Sequence, residues 1–144
     1  MAQTSPQTPA KPTRDRLGRT ALHFAAMAGN APEVERLLGL GSEVSSQDSN
    51  GWSPLHFAAQ AESAEVVESL LRAGAKIDLV DEHGNTALFR AVFRYTTSNG
   101  VIRMLLAAGA DPNLRNKHGV SPAELAQTIA NTDVAKHLSA AQQE

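Results

Sequence analysis

A nine-residue pattern returns through the chain at fixed register, and such a period constrains a fold more tightly than composition does. Gly18-Arg19-Thr20-Ala21-Leu22-His23-Phe24-Ala25-Ala26 is matched by Gly51-Trp52-Ser53-Pro54-Leu55-His56-Phe57-Ala58-Ala59 and by Gly84-Asn85-Thr86-Ala87-Leu88-Phe89-Arg90-Ala91-Val92. A weaker copy starts at Gly119-Val120-Ser121-Pro122. The leading glycines are 33, 33 and 35 residues apart. Thr or Ser followed by Ala or Pro is a helix start, because the hydroxyl accepts an amide bond and proline gives up an amide that had no partner. Leu55, Ala58 and Ala59 then share one helical face, as residues three and four apart do. A second apolar element follows each copy, at Val34 to Leu38, Val66 to Leu71, Val101 to Leu106, and Val134 to Leu138. The first three end on Gly41, Gly74 and Gly109, where a left-handed helix stop is wanted. Helices this short are marginal alone, so the pattern predicts pairs that become stable by stacking on their neighbours. With 24 alanines and only six aromatic residues among 144, thin layers in close contact are expected rather than one large core. Asp48-Ser49-Asn50-Gly51 and Asp81-Glu82-His83-Gly84 read as turns between the pairs.

The period near 33, together with Ser53-Pro54-Leu55-His56, Gly74-Ala75 and Gly109-Ala110-Asp111, resembles the ankyrin repeat family over about residues 15–140. The resemblance implies an all-α solenoid of helix-turn-helix units with projecting β-turn fingers. Four repeats are expected, at about 15–47, 48–80, 81–115 and 116–140, with a disordered tail over 1–14 and a short C-terminal tail over 141–144. The proline-rich polar start could serve as a docking peptide, but the expectation is a frayed terminus.

Departures from the pattern carry the individual information. Glu33 places charge on an edge that should be buried, as a solvated end of the array would. Glu62 stands where an inter-helix glycine is usual, which predicts a tighter or bent turn. The third repeat has Phe89 in place of His, Arg90 at an often apolar slot, and two extra residues within Phe93 to Asn99. These either lengthen its first helix or make a longer loop. The fourth repeat turns polar at Glu124, Gln127 and Lys136, as terminal repeats do.

Little in the sequence supports chemistry. There is no cysteine, which removes disulfides, thiolate sites and cysteine nucleophiles. There is no phosphate loop, no His-Glu-x-x-His and no nucleophile elbow, so the chain is not read as an enzyme and no cofactor or metal is expected. His23 and His56 recur at the repeat period and are read as structural. His83 and His118 hold matching finger positions and could approach each other, but two imidazoles fall short of the three or four ligands of most metal sites. A net charge of −2 argues against nucleic acid. No run of apolar residues reaches membrane length.

What remains is a surface. In the ankyrin family, the finger tips and the exposed edge of the first helices form a concave binding face. The resemblance places Arg19, Asn50, Trp52, Gln60, Glu82, His83, Asn85, Arg90, Phe93, Arg94, Tyr95, Lys117 and His118 there. Trp52 shares its slot with Arg19, Asn85 and Val120, so the stack does not require it; it projects as a binding hot spot or lies flat on its own repeat. Phe93 and Tyr95 extend an aromatic strip flanked by Arg90 and Arg94, unless Phe93 packs under the loop. Residues 1–19 carry a net charge of +3, while Asp48, Asp78, Asp81 and Glu82 should make the middle fingers acidic. The expected function is binding and inhibiting a protein partner such as a toxin or an enzyme, as a monomeric cytoplasmic protein of the immunity or kinase-inhibitor kind. The alternative is an adaptor that recruits its partner without silencing it.

Overall fold

The computed structural model describes residues 14–94 and 100–129. Seven helices follow in order: α1 Ala21–Met27, α2 Ala31–Gly39, α3 Pro54–Gln60, α4 Ala64–Arg72, α5 Ala87–Arg94, α6 Gly100–Ala107 and α7 Pro122–Thr128. No strand occurs among the described residues, so the chain is all-α there. The odd-numbered helices stack side by side in one layer, and α2, α4 and α6 stack in a second. The tails, Tyr95 and the second helix expected at Val134 to Leu138 lie outside the described residues, apart from Arg14.

The helix starts follow the expected chemistry. Thr20, Ser53 and Ser121 are extended residues whose hydroxyls accept the amide of the third helical residue, and that residue's side chain returns a bond to the cap amide. In α1 and α3 the returning side chain is His23 or His56; in α7 it is Glu124. Thr86 caps α5 through the Phe89 amide, and Phe89 has no polar atom with which to answer.

Leu22, Leu55 and Leu88 bury the inner layer's apolar stripe, and Val34, Val66, Leu70, Ile102 and Leu105 bury that of the outer layer. Ala26, Ala58 and Ala59 are fully covered, which is how the pairs come close. Truncating one such leucine costs about 2–5 kcal/mol, so each layer supplies stability that no single pair has alone.

One expectation is corrected. Glu62 adopts φ 56°, close to the 68° of Gly29 at the equivalent turn. Its amide bonds Ala59 O at 3.1 Å just as Gly29 bonds Ala26 O at 3.1 Å. The turn is therefore unchanged and the cost falls on the residue, which sits in a region L-residues avoid by about 1–2 kcal/mol. Glu33, expected at a solvated end of the array, is partly exposed and ion-pairs with Arg36 at 2.7 Å within α2. α5 is described as far as Arg94, and the rest of the stretch that holds the two extra residues lies outside the described residues.

Candidate protein-binding face

The fingers are Asx turns repeated once per unit. Asp48 Oδ1 accepts the amides of Asn50 and Trp52 at 2.9 and 2.8 Å, and Asp81 Oδ1 those of His83 and Asn85 at 2.9 and 3.0 Å. Asp15 and Asn116 do the same in the first and last fingers. Adjacent fingers are joined by one backbone bond each: Ser49 N to Leu17 O at 2.7 Å, Glu82 N to Asn50 O at 2.9 Å and Lys117 N to His83 O at 2.9 Å. Gly51 shows how close this approach is, since a Cβ there would lie 2.8 Å from Asp81 Cα at φ 81°.

The two recurrent histidines fasten the same edge from inside. His23 Nδ1 accepts the Thr20 amide at 3.0 Å, so its proton is on Nε2, which donates to Trp52 O at 2.9 Å. His56 repeats this with Ser53 N at 3.1 Å and Asn85 O at 2.8 Å. Each neutral imidazole thus ties its own helix start to the following finger. Burial holds both below the ordinary histidine pKa, outweighing the carbonyl bonds and nearby carboxylates that favour the charged form.

Trp52 does not stand free on its finger. Its ring is 4.7 Å from that of Phe57, and the Arg90 guanidinium lies 4.5 Å over the ring. Arg90 reaches back from α5 to make that contact and to bond Asp81 Oδ2 at 2.8 Å. The Asp81 carboxylate is fully buried and the Arg90 side chain only 15% exposed. Burial would raise the Asp81 pKa, but the guanidinium and the Asn85 and His83 amides outweigh it and hold the carboxyl below its ordinary range. Three expectations change as a result. Trp52 packs half-buried against its own repeat and the next; Arg90 belongs to a clamp rather than to an aromatic strip; and Asp48 and Asp81 are buried turn acceptors that leave Glu82 as the exposed acid of its finger. Asn85 is also buried, its side chain accepting from Asn116 Nδ2 at 2.8 Å, and so is not surface.

The other expected residues lie outward. Asn50 and Gln60 are partly exposed, and Glu82, His83, Phe93, Arg94, Lys117 and His118 exposed. His83 and His118 do come together, with ring centres 6.2 Å apart. Arg19 ion-pairs with Asp15 at 2.8 Å and covers Phe24 at 4.9 Å. Phe24 remains 44% exposed, beside Met27 on α1. Phe24 was missed at the sequence level. The signal was present: its slot holds Phe57, Arg90 and Leu125 in the other copies, a tolerance as wide as that which marked Trp52.

Among the described residues no helix is long and apolar enough to cross a membrane, and no three His, Cys, Asp or Glu side chains converge on a metal position. A family model described as ankyrin repeats (3 copies) matches residues 6–81 and 22–116. An ankyrin repeat protein of Acanthamoeba polyphaga mimivirus is 46% identical over 39 residues, which are 27% of this chain and 5% of that protein. The chain therefore spans a small fraction of that relative. The matched register, the capped helix pairs and the linked fingers agree, and the chain belongs to the ankyrin repeat family.

Proposed function

We propose that this ankyrin stack, a protein–protein interaction module by family, holds its partner on the face formed by the fingers and the inner helices, and silences it by covering its working surface. The observation that carries the site is the exposed apolar area there: Leu17, Phe24 and Met27 in the first repeat and Phe93 in the third are each 38–58% exposed. They stand on a scaffold whose fingers are cross-bonded and whose turns are satisfied. A rigid face loses little conformational freedom on binding, which favours a tight cover over a loose tether. Glu82, His83, Lys117 and His118 supply a polar rim, of the kind that surrounds an apolar interface centre.

The test is a photo-crosslinking residue placed at position 24, 93 or 72. Capture of the same protein from positions 24 and 93, but not from Arg72 on α4, is the expected result. Capture from position 72 alone moves the interface to the outer helices. Adding the chain to the purified partner should then abolish that partner's activity. Unchanged activity would instead favour the recruiting adaptor.

A further inference from the structure

We propose that His83 and His118 form a two-imidazole site for a divalent transition ion, one that clamps the third finger to the fourth. Both side chains project from equivalent corners of rigid turns, since His83 N donates to Asp81 Oδ1 and His118 N to Asn116 Oδ1, each at 2.9 Å. The two turns are themselves joined by Lys117 N to His83 O at 2.9 Å. The ring centres are 6.2 Å apart and the planes 31° from each other. An imidazole nitrogen binds such an ion at about 2.0–2.1 Å, so two rings sharing one have centres about 5 Å apart at a tetrahedral ion and at most about 6.5 Å apart at a linear one, and the pair must close by about 1 Å for the former. The site therefore needs only side-chain rotation. Both rings are in solvent, as an entering ion requires. The Glu82 carboxylate, 3.7 Å from His83 Nε2, adds the negative charge that attracts a cation. Lys117 opposes it from an exposed position, whereas Arg115 is engaged with Glu124 at 3.0 Å. Among the described residues no group of three ligands converges there, so the ion keeps water at its remaining positions.

The position in the stack adds a second argument. The first two junctions are each bridged by a buried imidazole, from His23 to Trp52 O and from His56 to Asn85 O. The junction after the third repeat has Phe89 in that slot and no such bridge. It is this junction that carries the exposed histidine pair. A metal bound there fastens from outside what an imidazole fastens from inside elsewhere.

The experiment uses the full chain without a polyhistidine tag. Titration calorimetry with Zn2+, Ni2+ and Cu2+ should show one ion per chain, with Cu2+ the tightest. Mg2+, which prefers oxygen ligands, should give no heat. His83→Ala or His118→Ala alone should weaken binding by at least about tenfold, as losing a ligand costs no less than losing a residue that orients one. Saturating Zn2+ should raise the melting temperature of the parent and of neither variant. Both side chains are exposed, so the metal-free melts of the variants should match the parent. Binding that survives both substitutions, or that is lost instead in His137→Ala, overturns the site. Binding without a rise in melting temperature overturns the clamp.

Discussion

The junction between the second and third repeats and the junction between the third and fourth use the same parts but fasten them differently. Both have a glycine pressed against the next finger: a Cβ on Gly51 would meet Asp81 Cα at 2.8 Å, and one on Gly84 the Lys117 amide nitrogen at 2.9 Å. Both have one backbone bond from finger to finger. The earlier junction adds a buried imidazole, from His56, and the Arg90 guanidinium laid over Trp52 and held there by its ion pair with buried Asp81 of its own repeat. The later junction has Phe89 and a lateral amide bond, Asn116 Nδ2 to Asn85 Oδ1. Residues that look like surface variation in one repeat are thus the fastenings of the next. The middle of the stack is locked by buried charged and imidazole groups, while its later end relies on packing, backbone and one side-chain amide bond.

The largest expected effect breaks the feature the two junctions share. Gly51→Ala combines left-handed strain with a backbone collision and should cost about 3–4 kcal/mol. Gly119 has nearly the same φ, 78°, but nothing within 4 Å of its Cβ position, so Gly119→Ala should cost only about 1–2 kcal/mol. Chemical denaturation of the two variants decides the point. Equal losses would mean that strain alone, not the neighbouring finger, selects glycine.

The ion pair separates the junctions next. Arg90→Ala leaves the Asp81 carboxylate buried without its cation, a change that costs about 3 kcal/mol. The two amides that Asp81 still accepts keep the loss from being greater. Because the folded Asp81 pKa lies below the ordinary carboxylate range, its contribution is present above that range and is lost as pH falls through the folded value. Arg90→Ala should therefore unfold at a higher pH than the parent during an acid titration followed by circular dichroism. An unchanged acid midpoint would make the pair incidental.

His56→Ala should cost about 2–3 kcal/mol, since the Ser53 amide and one Asn85 carbonyl acceptor site lose their buried partner. The folded pKa values of His23 and His56 lie below the ordinary histidine value of about 6.5. The unfolded chain then binds the extra protons, so this stability is full above about pH 6.5 and declines as pH falls below it. The decline between pH 6.5 and 5 should be shallower in His56→Ala than in the parent. A steeper decline would place the titration elsewhere.

The stack itself was legible because its signals are local and repeated. A cap hydroxyl, an apolar stripe and a stop glycine each act within a few residues, and the 33-residue register states that neighbours are alike. The face was legible only in part. Variation within a slot shows that the helix tolerates change there, but not where a long side chain goes once neighbours exist. Arg90 and Trp52 satisfy each other across a repeat boundary, and Asn85 is buried by a partner 31 residues on. Asp48 and Asp81 counted as surface charge because an Asx acceptor and a solvated carboxylate look the same in sequence.

That distinction sets the smallest expected effect on stability, and with it the sharpest test of the face. Trp52 and Phe93 both look like aromatic anchors in the sequence. Trp52 packs against Phe57 and carries the Arg90 guanidinium, so Trp52→Ala should destabilise the stack by about 1–3 kcal/mol before it says anything about binding. Phe93 is 58% exposed in the last turn of α5, and Phe93→Ala should change stability by less than about 0.5 kcal/mol. If it anchors a partner, its removal should cost about 2 kcal/mol of affinity, or roughly 30-fold in Kd. Calorimetric titration against the captured partner, beside thermal melts of both variants, separates the two roles. A Phe93→Ala variant with parental affinity and parental stability would shift the apolar centre of the face to Phe24 and Met27, at the first repeat.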